Sequence, residues 1–200
     1  MNLTPDQTDL LAEVMNVGIG RAAHALSELV RARVVLQVPK VEVGHVIELE
    51  SRWREKAADG LSLVSQDFDG ASSGVAVLAF ETPSARALVS LLVGSEDEDG
   101  IDAEREAVLL EVGNIMINGV MGAFGNIVAR DIAYDLPAYS DGDLFAVLPI
   151  ADTEAVIVNV VLGIAEHCIE GQLAVVFDRE TLENLWPLLE GDAAGSSARA

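Results

Sequence analysis

Glu13 and Asn16 stand one helical turn apart in a stretch that reads as helix from residue 5 to about residue 31. A carboxylate accepts hydrogen bonds and pairs with cations, whereas a carboxamide donates and accepts but cannot remove a proton at neutral pH. At 3.6 residues per turn, Asp9, Glu13, Asn16 and Gly20 share one stripe. Leu11, Val14, Gly18, Ala22, Ala25 and Leu29 fall opposite and form the anchoring side. One outward Glu-x2-Asn is ordinary on an amphipathic helix, but this chain carries it twice.

A shift of 98 residues lays Leu11, Glu13, Val14, Asn16, Ile19, Ala25, Val30 and Pro39 on Leu109, Glu111, Val112, Asn114, Ile117, Ala123, Val128 and Pro137. A shift of 97 does the same for Gly74, Phe80, Leu88, Leu91 and Gly94 on Gly171, Phe177, Leu185, Leu188 and Gly191. Both halves read helix, strands, helix, as an internal duplication with a pseudo-two-fold would. Packing explains why the apolar positions repeat. It does not explain the exposed Glu and Asn, whose presence in both copies is therefore the functional signal. The second stripe reads Ala107, Glu111, Asn114 and Asn118, opposite Leu109, Val112, Met116 and Ile127.

The elements that position these stripes follow in order. Thr4-Pro5-Asp6-Gln7 has the composition of a capping box with proline at the first helical position. Gly18 and Gly20 each cost the first helix roughly 1 kcal/mol relative to alanine, which points to close packing or a bend. Strands are expected at 34–38, bounded by Pro39, and at 41–49, where Val41, Val43, Ile47 and Leu49 alternate with polar residues. Residues 51–60 read as a charged loop whose Trp53 folds back. Strands at 61–68 and 74–80 lead to a helix opened by Thr82-Pro83, with Ala87, Leu88, Leu91 and Leu92 inward and Gly94 as its stop. An acidic linker follows at 95–100. The second half gives a helix from 102 to about 130, strands near 132–136, 144–148, 155–164 and 172–177, and a last helix at 181–189 capped by Asp178. The organisation expected is one domain over residues 1–191, made of repeats at about 1–94 and 101–191, with a disordered tail at 192–200.

Composition narrows the function. A formal net charge of -21 with only two lysines argues against nucleic acid or an anionic membrane surface as partner. With 50% hydrophobic but only 4% aromatic residues, the core must be aliphatic. The single cysteine, Cys168, excludes an internal disulfide and fits a reducing compartment. No signal peptide is read at the N-terminus, and no uninterrupted apolar run suits a bilayer, the longest lying near 155–165. A cytoplasmic protein is expected. His167 and Cys168 lack a third group for nucleophilic chemistry. His24 is expected on the apolar or boundary side of its helix, His45 packed or at an edge, and Asn159 as a satisfied buried amide.

The pattern Asp/Ser-x3-Glu-x2-Asn-x22-Pro, met by Asp9, Glu13, Asn16 and Pro39, resembles the signature of the CheC/CheX/FliY chemotaxis phosphatases. The second copy supplies Glu111, Asn114 and Pro137, with Ala107 in place of the first acid. Two copies in this length are more like CheC than single-site CheX or the longer FliY. The resemblance implies an α/β (α+β) CheC-like fold, mostly antiparallel sheet, with two long surface helices carrying the sites. It implies hydrolysis of the aspartyl phosphate of a CheY-type response regulator. Asn16 and Asn114 would orient the water, Glu13 and Glu111 would dock a lysine of the regulator, and Asp9 would be an accessory contact. No cofactor of its own is implied; Mg2+ is expected on the partner receiver domain. CheD is a further candidate partner. The other reading is a non-catalytic adaptor of the same fold, binding CheD, CheY or flagellar switch components.

Overall fold

The computed structural model describes residues 3–56, 60–70, 73–94, 102–128, 132–142, 144, 147–148 and 154–177. Helix α1, Pro5–Val30, opens on the expected capping box, in which Thr4 N–H donates to Gln7 Oε1 at 3.1 Å and Gln7 N–H donates to Thr4 Oγ1 at 3.2 Å. Then come β1 (Val35–Leu36), β2 (Lys40–His45), α2 (Val46–Lys56), β3 (Leu61–Gly70), β4 (Gly74–Glu81) and α3 (Thr82–Val93). Gly94 ends α3 at φ 74°, the left-handed conformation that glycine adopts without steric cost. The second half contributes α4 (Asp102–Val128), β5 (Ile132–Tyr134), β6 (Ala138–Asp141), β7 (Glu154–Ile164), a 3-10 turn (Ala165–His167) and β8 (Ile169–Phe177).

The eight strands among the described residues form one antiparallel sheet, ordered β1-β7-β8-β4-β3-β5, with β2 also on β7 and β6 also on β3. The β8–β4 pair sits in the middle, and the succession outward from it is the same on both sides. The short strands after α1 pair with the long hairpin of the second half, and those after α4 with the hairpin of the first. Neither half closes its own sheet.

Alternate residues of the central strands feed two cores. Ala76, Leu78 and Phe80 of β4 join Val156, Val158, Leu173 and Phe177 beneath α1, α3 and α4. Val75, Val77 and Ala79 join Ile157 and Val176 on the opposite face, beneath Val46, Leu49 and Trp53 of α2. Strands covered on both faces lose their polar alternation, hence the near-continuous apolar runs.

Four local expectations are corrected. Residues 46–56 are helix, not strand followed by loop, because Val46, Leu49 and Trp53 fall on one helical side; Ile47, counted earlier in a strand alternation, is exposed. Among the described residues of 144–148, Leu148 N–H donates to Leu144 O at 3.0 Å, a helical turn rather than a strand, and both leucines are buried. Strand β6 supplies an edge that apolar patterning did not mark. The apolar side of α1 drifts from Leu11, Val14 and Gly18 to Ala22, Leu26 and Val30, leaving Ala25 and Leu29 exposed. On α4, Leu109, Val112 and Met116 are buried as expected. The linker at 95–100, the final helix at 181–189, the tail and the side chain of Ile127 lie outside the described residues.

Among the described helices, α4 has a segment, Arg105–Asn126, long and apolar enough by composition to cross a membrane, though Arg105, Glu106 and Glu111 interrupt its apolar run. Half of it is buried inside the fold, where α4 packs against α1 and the sheet. That contact explains one of the two costly glycines. A Cβ on Gly18 would lie 2.6 Å from Val120 O, and one on Gly119 would lie 2.8 Å from the Ala22 Cβ. The helix backbones touch there, and only glycine fits.

Candidate functional site

The helix pair turns both stripes outward. Leu11, Val14, Met15, Ile19, Ala22 and Leu26 hold α1 to the core, while Asp9, Glu13, Asn16 and Gly20 are exposed. On α4, Leu109, Val112, Met116, Ile117, Val120 and Phe124 are buried. Ala107, Glu111 and Asn118 are exposed, and Asn114 is half-buried. The structure thus places the four principal residues as two Glu–Asn pairs, one on each of two packed helices.

Within each pair the geometry differs. Asn118 Nδ2 donates to Asn114 Oδ1 at 2.6 Å. The matching position on α1 is Gly20, where a Cβ would meet nothing within 4 Å. Among the described residues no hydrogen bond or ion pair engages the side chains of Glu13, Asn16 or Glu111. Both carboxylates and the Asn16 amide therefore face solvent with their bonding capacity uncommitted.

Side-chain contacts fix the start of α4. Arg105, two residues before Ala107, donates to Asp141 Oδ2 at 2.7 Å, and its guanidinium lies 5.9 Å from the Tyr139 ring centre. Tyr139 Oη and Ser62 Oγ donate to Asp141 Oδ1 at 2.6 and 3.2 Å. Burial raises the Tyr139 pKa, and its hydrogen bond to Asp141 adds to that, so the phenol stays protonated and keeps donating. Strands β3 and β6 are thereby tied to the helix that carries the second stripe. On the far face of the sheet, burial opposes ionisation of Glu42, but hydrogen bonds from Arg52 and Lys40 outweigh it and hold the carboxyl below its ordinary range.

The side residues fall out as follows. His24 is exposed beside Glu28 at 3.7 Å, not on the apolar side, because the buried face of α1 has rotated past it by that turn. His45 is exposed at the end of β2. His167 and Cys168 are exposed at the β7–β8 connection. Asn159 Oδ1 is buried without a hydrogen bond among the described residues, so it is not the satisfied amide expected. It lines a cavity of about 250 Å³ with Lys40, Arg52, Trp53, Glu55 and Gln172. None of the two Glu–Asn pairs lines that cavity; they sit on open faces, accessible to a macromolecule. Among the described residues no three His, Cys, Asp or Glu side chains gather as a metal site would require.

Two exposed aliphatic residues escaped the sequence reading. Val38 is 79% exposed and Leu136 is 89% exposed, each directly before the repeated proline, at positions the 98-residue shift superposes. Their signal was an apolar residue directly before the repeated proline in both copies; both had been expected within strands, which stop at Leu36 and Tyr134.

An antiparallel sheet of this order beneath two long helices is the fold of the CheC-like, FliY and FliM structures, and the chain is similar to these proteins. It is 27% identical over 174 residues to CheC1 of Halobacterium salinarum, a candidate CheY-P phosphatase, covering 84% of this chain and 78% of that one. Thermotoga maritima FliY shares the fold with a TM-score of 0.74 at 17% identity, over 96% of this chain and 99% of that one. FliM of H. pylori, solved in complex with SpeE, does so with a TM-score of 0.74 at 10% identity, over 95% and 97% of the two chains. No protein-family model matches the chain.

Proposed function

We propose that the chain is a phosphatase that removes the aspartyl phosphate of a phosphorylated CheY-type response regulator in the cytoplasm. The observation that carries this reading is the pair of outward Glu-x2-Asn stripes on α1 and α4, kept where packing does not demand them. Similarity to CheC1 supports it. Hydrolysis of an acyl phosphate needs a water held in line with the leaving carboxylate oxygen. Asn16 and Asn114 hold that water by hydrogen bonds and take no proton from it. The gain in rate comes from position and from freedom already lost in the complex. Glu13 and Glu111 pair with a cation of the regulator and set the register of the amide beside them. Asp9 extends the acidic rim on α1, and Val38 and Leu136 offer each copy an apolar contact. The magnesium that neutralises the phosphoryl group belongs to the regulator.

A second reading, an adaptor that binds such partners or CheD without turnover, is favoured by the same fold in FliM, which is known in complex with SpeE. Phosphate release from a phosphorylated receiver domain separates the two readings. Wild type should accelerate release, and Asn16→Ala and Asn114→Ala should each remove one helix's share. Binding of the receiver with no acceleration by the wild type would leave the adaptor reading.

A further inference from the structure

A free carboxamide turns about its last torsion with a broad, roughly two-fold preference, so its oxygen and nitrogen exchange places readily. Asn114 is held against this. Its Oδ1 accepts from Asn118 Nδ2 at 2.6 Å, one turn along the same face, and the residue is half-buried. With the oxygen so engaged, the Nδ2 group is left as the outward donor. Asn16 has Gly20 at the equivalent place and no such partner among the described residues. We infer that Asn118 is a positioning residue of the second site, which fixes the Asn114 amide for its task on water before any partner arrives. The first site has no such brace, and the regulator itself must orient Asn16. This inference rests on the phosphatase reading and adds to it a division between a braced and an unbraced face.

Release of phosphate from a phosphorylated CheY-type receiver domain tests it in single-face backgrounds. In Asn16→Ala, where only α4 works, Asn118→Ala should lower kcat about fivefold, the worth of one side-chain hydrogen bond. KM should stay within about twofold, since binding of the regulator is untouched. Asn118→Asp preserves size but offers only acceptors, so it should turn the amide over and lower kcat at least as far. In Asn114→Ala, where only α1 works, Gly20→Asn enters open space and should raise kcat by supplying the missing brace. Unchanged kcat in all three variants, or effects confined to KM, would overturn the inference. An inert Asn16→Ala protein would also overturn it, while leaving a phosphatase that works through α1 alone. Full activity in Asn16→Ala/Asn114→Ala would instead remove the role of the two amides on which the inference stands, and no acceleration by the wild type would remove the phosphatase reading itself.

Discussion

Helices α1 and α4 carry the same two functional side chains in different company. On α1 the flanking positions are Asp9 and Gly20; on α4 they are Ala107 and Asn118. One face adds a second acid and leaves its amide free, and the other lacks that acid but braces its amide with a 2.6 Å hydrogen bond. Glu and Asn are common to both, so in the function proposed here charge recognition and water orientation are the shared work, while the flanks adjust how each is achieved. The two glycines of α1 make a parallel contrast. Gly18 is where α4 touches the backbone, and Gly20, half a turn away, faces nothing.

The largest structural effect expected comes from separating the helices. Gly18→Ala places a methyl 2.6 Å from Val120 O, closer than real contacts allow. It should cost about 2 kcal/mol, seen as a lowered melting temperature. Gly20→Ala should act in the opposite sense and stabilise by about 1 kcal/mol, because the helix gains propensity and meets no neighbour. Equal effects at the two positions would erase the distinction between buried and open glycine. Charge reversal comes next. Glu13→Lys together with Glu111→Lys should raise KM for the phosphorylated receiver about tenfold, with a smaller change in kcat. Reversal on one helix alone should spare the other face.

The smallest effect expected lies away from both faces. Arg52 and Lys40 lower the Glu42 pKa against the opposing influence of burial, so the folded carboxyl titrates below its ordinary 4.5. Its stabilising contribution is whole above that value and is lost as pH falls through the lowered one. Glu42→Gln should therefore melt below the wild type at neutral pH, and the gap should close in acid. A gap that widened in acid would reverse the sign argued here.

Much of this was legible in the residues. Strong periodicity marked α1, α4 and the long central strands, since one apolar side or an unbroken apolar run leaves few alternatives. Helix α2 was hidden because Val41, Val43, Ile47 and Leu49 alternate straight across the strand–helix boundary. Only the second core, which buries Val46, Leu49 and Trp53 together, resolves the period. The exchange of short strands between halves was invisible for another reason: pairing of β2 with β7 joins residues more than a hundred positions apart. At the candidate site the repeated Glu and Asn could be read from exposure and spacing. Asn118 was visible as part of the stripe, but its bond to Asn114 depends on rotamers that sequence does not specify. Val38 was assigned to a strand, and its exposure followed only once β1 proved to stop at Leu36.

The most direct measurement is turnover and binding of a phosphorylated CheY-type receiver by Asn16→Ala/Asn114→Ala on the same preparation. Phosphate release should fall about 100-fold while the receiver is still bound, because the acids remain and the water loses both of its guides. Release at the wild-type rate from that double variant would contradict the role given to the two amides.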